Sequence, residues 1–462
     1  MLRTTAAVIA GKITRAGLMV LGRGATALPG VIALAIAPDF VARLTGALSH
    51  GVTLVSGTNG KTTTARMLAG ILEAAGWSAV HNRSGSNLDR GIAAALAAEA
   101  TWAGEPRGDA GLFEVDEASL PRLLGRIAPR VVVVTNLFRD QLDRYFEIDA
   151  LARRIADAVA ALPASTTLVL NADDPIVAYL GDRHLGHIVH FGVDDHSVGG
   201  TVPQAISDAT RCPRCKRPLA YRRIVLAHEG DWHCPSCGLA RPPRDVAAAS
   251  VTLEGTSSRL RLAGPAGGDA FDPIVVPLPG LYNAYNALAA LAAARALDIP
   301  LATAVRAIAA FRPAFGRLEA VEAEGRTLRL VLVKNPAGFN AAIAALLETR
   351  RRPRLLAALN DRDADGRDVS WIWDADFETL APAVEHAVVT GLRARDLALR
   401  FKYAGVDAGR IEVVDGPAAA VRRAIDTAPL GEEVVVLATY TAMLALRRAL
   451  ADAGFVGRFW ED

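Results

Sequence analysis

Val52–Thr64, VTLVSGTNGKTTT, decides the fold. VTLVS reads as a buried strand. A turn with two glycines follows, then Lys61 and three threonines that open a helix. The spacing Gly57-x-x-Gly60-Lys61-Thr62 is that of a phosphate-binding loop. The glycines let backbone N–H groups wrap a phosphate. The lysine reaches the β- and γ-phosphates, and the hydroxyl beside it binds Mg²⁺. Gly57, Thr58, Asn59, Gly60, Lys61, Thr62 and Thr63 are therefore the expected nucleoside triphosphate-binding residues, with Lys61 catalytic and Thr62 on the magnesium.

Outward from the loop, the bulk of the chain sets limits. It has 462 residues, 51% apolar and 22% charged, which suits a globular protein of two or three domains. Lysines and arginines number 51 against 49 acids, so the net charge of +2 gives no general case for a polyanion partner, and no nucleic acid is expected. The first 38 residues look like a targeting segment, but Lys12, Arg15 and Arg23 interrupt one apolar stretch and Pro29, Gly30 and Pro38 break the next. A spanning helix needs about 20 unbroken apolar residues. An amphipathic helix packed on the first domain is expected, in preference to a peripheral membrane contact. The expected location is cytoplasmic, with the inner face of the membrane as the alternative.

All four cysteines fall in one stretch, Cys212-Pro-Arg-Cys215 and Cys234-Pro-Ser-Cys237. Paired Cys-x-x-Cys knuckles at this separation are the signature of a tetrahedral Zn²⁺ ribbon. Four thiolates close the coordination shell, so a structural role is expected. Two disulfides are the lesser reading in a reducing compartment.

The rest of the chain alternates strands and helices. Ala110–Asp116, Val131–Val134 and Leu168–Leu170 read as strands ending in polar clusters: EVDEAS, TNLFRDQLD and NADDP. That pattern indicates a parallel sheet with its site at the strands' C-terminal ends. β-like segments follow at Ser250–Leu262 and Asp272–Leu278, then a helix Asn283–Leu297. From Arg317 a second α/β unit begins, with strands at Leu328–Val333, Leu355–Leu359, Ala387–Thr390 and Glu433–Ala438 and a final helix Ala442–Ala453.

GTNGKTTT resembles the ATP site of the Mur ligase superfamily, enzymes that activate a carboxylate as an acyl phosphate and trap it with an amine. Further elements match in the same order. Glu114 and Glu117 stand where the family binds Mg²⁺, and Glu114 is implied as a metal ligand and catalytic residue. Thr135-Asn136 with Asp140 and Asp143 resembles the family's TN…DHLD stretch. Asn171–Pro175 resembles its strand-end NADDP. Asn283 and Asn286 match the asparagines that face adenine, and Arg317 matches the arginine that reaches ATP from the hinge.

The fold class implied is α/β: a central P-loop ATPase domain (46–316) carrying a Cys₄ zinc-ribbon insertion (about 205–245), and a Rossmann-like C-terminal domain (317–462). About 45 residues of helical segment (1–45) precede the loop strand, so no UDP-binding N-terminal domain is expected. Other departures separate the chain from relatives that extend peptidoglycan precursors. Gln141 replaces a usual histidine. Ala152–Ala158 has no lysine for carbamylation and holds Arg153 and Arg154 instead. Val331 stands where a ribose-binding aspartate is usual, with Lys334 and Asn335 as substitutes.

With the segment Asp365–Asp374, DGRDVSWIWD, these departures are similar to one branch of the superfamily. That branch amidates the α-carboxylate of D-glutamate in the lipid II stem peptide, using ammonia from a GatD-like glutamine amidotransferase subunit. The resemblance implies ATP, Mg²⁺ and Zn²⁺ as cofactors, and lipid II at the membrane surface as substrate. It also implies that an aspartate of this chain completes the partner's Cys–His pair: Asp368, with Asp365 as second choice. Trp371, Ile372 and Trp373 are expected to anchor that interface. The alternative is a stand-alone Mur or folylpolyglutamate-type ligase joining an amino acid to a carboxylate. Every cysteine is committed to the ribbon, so any glutaminase nucleophile belongs to a partner, or free ammonium serves.

Overall fold

The computed structural model describes residues 2–21, 27–82, 88–138, 148–201, 208–254, 256–263, 273–312, 317–348 and 352–457. Three helices come first: α1 (Leu2–Val20), α2 (Leu28–Ile36) and α3 (Phe40–Gly46). The chain then enters β1 (Val52–Ser56), turns through the glycine loop and starts α4 (Lys61–Ala74). Next come β2 (Ala79–His81), α5 (Asp89–Glu99), β3 (Ala110–Glu114), β4 (Val131–Val134), β5 (Thr167–Asn171) and β6 (Ile188–Val193). A separate hairpin, β7 (Ala220–Leu226) and β8 (Glu229–His233), interrupts the sheet before β9 (Val246–Leu253), β10 (Ser258–Leu262) and β11 (Ile274–Val276).

The large sheet runs β11-β10-β9-β6-β5-β4-β1-β3-β2. From β2 to β9 neighbouring strands are parallel. β1 lies between β3 and β4, and the chain fills one side of it before crossing to the other. That makes the end of β1 the switch point, where the flanking connections part and leave a crevice. β1 and β4 are buried along their whole length, which is why β4 reads as an unbroken apolar run rather than an alternating one.

Two cores cover the sheet. On one face α4 packs beside the helix Leu281–Ala296, whose alanines let it approach closely on every side. On the other, α1, α2, α3 and α5 lie over β1 and β3. α1 packs through Thr4, Ala7, Val8 and Gly11. No single helix among the described residues is long and apolar enough to cross a membrane.

The second sheet contains β12 (Arg317–Ala323), β13 (Arg326–Leu332), β14 (Arg354–Ala358), β15 (His386–Thr390), β16 (Ile411–Val413) and β17 (Glu433–Ala438). Its order is β12-β13-β17-β14-β15-β16, parallel except for the β12–β13 hairpin at one edge. Cores on both faces make it a second α/β layer structure.

The β-like segment expected at Ser250–Leu262 is two antiparallel strands, β9 and β10. The sequence reading placed no strand at β2, β6, β7, β8, β12 or β16. β2 and β16 span only three residues each, too few for any periodicity to show.

Candidate functional site

The crevice at the end of β1 is built by backbone shape first. Gly57 has φ 129° and Gly60 φ 83°, values that a side chain disfavours. Close approach adds to this. A Cβ on Gly57 would lie 2.2 Å from Thr135 Oγ1, and one on Gly60 would lie 2.0 Å from Asn286 Oδ1. The loop is therefore pressed between the end of β4 and the helix Leu281–Ala296. Bonds fix it there. Thr58 N donates to Asn136 O (2.9 Å), Asn59 N to Asn136 Oδ1 (2.8 Å) and Thr135 Oγ1 to Asn59 O (2.8 Å).

Lys61 is the first residue of α4 and is buried. Its Nζ donates to Gly57 O, to Thr58 O (3.2 Å) and to Glu117 Oε2 (3.0 Å). Thr62 Oγ1 donates to Glu114 Oε2 (2.7 Å). Glu114 is the last residue of β3, and Asn82 holds its backbone from both sides, N to Oδ1 and O to Nδ2, each at 2.9 Å. A P-loop threonine and a strand-end carboxylate in contact are the donor set for a hard cation. The cradle and this pair fit ATP with Mg²⁺.

Between the two glutamates, burial pushes the Asp116 carboxyl above its usual range, and Glu117 adds to it. Lys61 and Lys334 pull the other way. Asn283 and Asn286 are buried at the start of their helix. Asn283 Nδ2 donates to Pro279 O (2.7 Å), and Asn286 Nδ2 donates to Asn283 Oδ1 (3.2 Å). Arg317 begins β12, and its side chain lies outside the described residues, as do Asp140, Gln141 and Asp143. Arg153 and Arg154 are exposed on the helix Ile148–Ala160.

Two features make contacts at this site that were not read from the sequence, although Asn335 itself was expected to substitute for a ribose-binding aspartate. The first is Asn335, which caps the helix Pro336–Glu348 through Gly338 N (2.7 Å) and donates to Asn59 Oδ1 (3.2 Å). It ties the second sheet to the phosphate loop. Asn followed by Pro is a readable helix start, but its partner is not readable.

The second is the tip of the β7–β8 hairpin. Ala227 turns with φ 53°, and His228 and Glu229 bury against the end of β5. Asn171 Nδ2 donates to Glu229 Oε1 (2.8 Å) and to Thr135 O (3.0 Å). Trp232 Nε1 donates to Ala172 O (2.9 Å). Asp173 accepts from Tyr285 Oη (2.6 Å) and Arg241 Nε (2.7 Å). Asp174 accepts from Leu137 N (2.9 Å) while capping its own helix through Ile176 N.

Burial drives the Glu229 carboxyl well above the ordinary 4.5, and Asp174 and Asp173 push the same way. An acid raised in the folded state holds its proton when the unfolded chain has lost it. Its stabilisation is complete below the unfolded value and is lost as pH climbs through the folded one. Denaturant midpoints of the parent chain should therefore fall as pH rises above the ordinary carboxyl range. Glu229→Gln, which keeps an acceptor for Asn171, should flatten that fall. The slope that remains has a second source in Asp173, also raised by burial. Parallel curves for the two proteins would refute the assignment.

At the base of the same hairpin the four cysteine Sγ atoms lie within 4.8 Å of one another. Cys212 and Cys237 approach to 3.6 Å and Cys215 and Cys234 to 3.5 Å, and none is in a disulfide. A tetrahedron with Zn–S of about 2.3 Å sets S···S near 3.8 Å, so the set fits zinc.

In the second unit, Gly366 turns with φ 87° after Asp365. Asp365 is buried and accepts from Thr441 N (2.6 Å) and Thr441 Oγ1 (2.5 Å), fastening the start of the helix Tyr440–Asp452. Asp368 is partly exposed, and its Oδ1 accepts from Ser370 N (2.8 Å). The expected apolar anchor is corrected here. Trp371 and Ile372 are only 3% and 1% exposed and belong to the core, packed near Phe339 and Phe377; Trp373 alone faces out, at 49%. It meets Tyr403 edge-on and lies under the Arg400 guanidinium.

Comparison with known proteins follows the same layout. The Mur ligase middle domain matches residues 55–210, and the MurT ligase C-terminal matches 332–443. In fold, the chain is similar to MurF from Acinetobacter baumannii (TM-score 0.66, 18% identity, 94% of this chain and 81% of that one). It is also similar to folylpolyglutamate synthase from Mycobacterium tuberculosis (TM-score 0.62, 18% identity, 92% and 95%). In sequence it is 34% identical to the lipid II isoglutaminyl synthase (glutamine-hydrolyzing) subunit MurT of Streptococcus pneumoniae, over 98% of both chains. Likeness at that level, running through both sheets and the cysteine hairpin, means that the chain belongs to the MurT family of ATP-dependent Mur-type ligases.

Proposed function

We propose that this chain is the amidating subunit of a lipid II isoglutaminyl synthase. The α-carboxylate of D-glutamate in the lipid II stem peptide attacks the γ-phosphorus of ATP, and ADP leaves. Ammonia then attacks the acyl carbon, and phosphate leaves with the carboxylate oxygen it carries. What carries the reading is full-length likeness to the pneumococcal subunit, joined to a phosphate loop whose lysine and threonine already meet carboxylates.

In this reading Gly57–Thr63 hold the phosphates, and Thr62 and Glu114 hold Mg²⁺. Asn283, Asn286 and Arg317 face the rest of the nucleotide. Bound Mg²⁺ would offset the charge that develops on the phosphoryl oxygens. Lys61 now rests on Glu117 and the loop carbonyls, and exchanges them for phosphate oxygen when ATP enters. The division at 1–45, 46–316 and 317–462 assigns ATP to the first sheet and partner contact to the second.

Ammonia comes from a GatD-like glutaminase seated on the second unit near Asp368 and Trp373. The test is to purify the chain with that glutaminase and follow lipid II by mass spectrometry. Amide formation should need both ATP and glutamine. A product that gains an amino acid would move the chain to the folylpolyglutamate-type alternative, and no product at all would sink both.

We further propose that Cys212, Cys215, Cys234 and Cys237 bind one structural Zn²⁺. Metal site and hairpin tip are ends of one element, so losing the metal should loosen Glu229 and Trp232 as well. Cys234→Ser is expected to cut folded yield severely, since a structural zinc site contributes on the order of 10 kcal/mol in small zinc-dependent folds. Elemental analysis showing no zinc in the folded parent chain would refute the assignment.

A further inference from the structure

Seventeen large apolar side chains are exposed among the described residues, and eight of them lie between Leu2 and Val31. α1 explains the concentration. Thr4, Ala7, Val8 and Gly11 face the domain. Helical spacing puts Leu2, Ala6, Ile9, Ile13, Ala16 and Val20 along the opposite side. That side should be polar on a helix packed against a domain, yet Leu2 is 90% exposed, Ile13 63% and Val20 87%. Trp102, also exposed, extends the surface; Lys12 lies over its ring at 5.4 Å, and Thr5 Oγ1 bonds Ala103 O beside it.

The charges carried by α1 and α2 have one sign, and acids enter this surface only beside Trp102, at Glu99 and Glu105. Arg3 and Lys12 flank the stripe, Arg15 is exposed at the end of the helix beyond the packed residues, and no acid occurs before Asp39. An apolar stripe on a helix whose only charges are cations, with a tryptophan at its edge, matches the surface of an anionic bilayer. A second copy of the helix fits poorly, because pairing would bring cations together with no acid on either helix to meet them.

The face also reaches the catalytic edge of the large sheet. Gly30 in α2 packs so closely on α5 that a Cβ there would lie 1.8 Å from Arg90 O. α5 begins just after the loop that leaves β2, whose neighbour Asn82 holds Glu114. Leu28 and Val31, both exposed, therefore stand at the same edge of the sheet as the candidate magnesium ligand.

We propose that the α1–α2 face, with Trp102, rests on the surface of an anionic phospholipid bilayer. The proposal stands on this surface alone. If the lipid II reading also holds, the contact brings the crevice to a substrate anchored in the same bilayer.

The test uses the full chain with vesicles that contain neither lipid II nor nucleotide, so its failure is separate from any failure of the amidation reading. The chain should sediment with phosphatidylglycerol-containing vesicles, and less well as salt rises. Ile13→Glu with Val20→Glu should lower partitioning by about tenfold or more. Arg3→Gln with Arg15→Gln should lower it several-fold. All four residues are exposed, and retained ATP binding by the variants excludes loss of fold as the cause. The proposal is overturned if the parent chain stays in the supernatant, or if the glutamate variant sediments undiminished. It is equally overturned if light scattering finds a dimer that the same glutamates dissolve.

Discussion

Lys61→Ala abolishes ATP- and glutamine-dependent amidation, with kcat down by at least about 10³-fold. That corresponds to about 4 kcal/mol of lost transition-state stabilisation, the scale expected when a buried cation aimed at a transferring phosphoryl group is removed. The variant needs a control, because Lys61 also neutralises Glu117 at 3.0 Å, with both side chains nearly out of solvent. Stripping one partner from a buried pair leaves an uncompensated charge that costs about 3–5 kcal/mol. Lys61→Ala combined with Glu117→Gln should regain thermal stability and still fail to turn over. Amidation rates and melting curves on the same preparations separate the two effects. Parent-level turnover in the single variant would end the assignment of the ATP site.

Asp368→Asn cuts glutamine hydrolysis by the complex about 10²- to 10⁴-fold, the range for losing the acid that fixes a catalytic histidine's tautomer. Amidation supported by added ammonium should persist, because the ligase crevice lies at the other sheet. Geometry favours Asp368 over Asp365. Ser370 N anchors Asp368 Oδ1 on a partly exposed turn, which aims the carboxylate. Asp365 has both oxygens engaged with Thr441. Asp365→Asn should instead weaken the second unit by about 1–3 kcal/mol, the usual cost of leaving buried polar groups unsatisfied. Glutaminase assays and denaturation of both variants decide the point. If both hydrolyse glutamine normally in the complex, the partner's triad is not completed from this turn.

Features set by residue type at short spacing were legible. Gly57, Gly60 and Lys61 define a phosphate loop because only glycine takes those backbone angles there and only a long cation reaches the phosphates. The two Cys-x-x-Cys knuckles are as local, and the fold brings their four sulfur atoms together. The unbroken apolar run of β4 announced a strand buried on both faces.

What the tertiary structure alone decided involves partners far apart in sequence. Asn335 is expected from the sequence as a substitute at the ribose position, yet its meeting with Asn59 depends on how two sheets pack. Glu229 reads as a charged residue in the cysteine hairpin. It is in fact buried against Asn171, with its charge suppressed, because the hairpin tip enters the large domain. Trp371, Ile372 and Trp373 show the limit most plainly. In a 3₁₀ turn successive side chains point about 120° apart, so three adjacent apolar residues cannot share a face. Two enter the core and one meets solvent. Sequence supplies the apolar triplet, but which member turns outward is fixed by where Phe339 and Phe377 leave room.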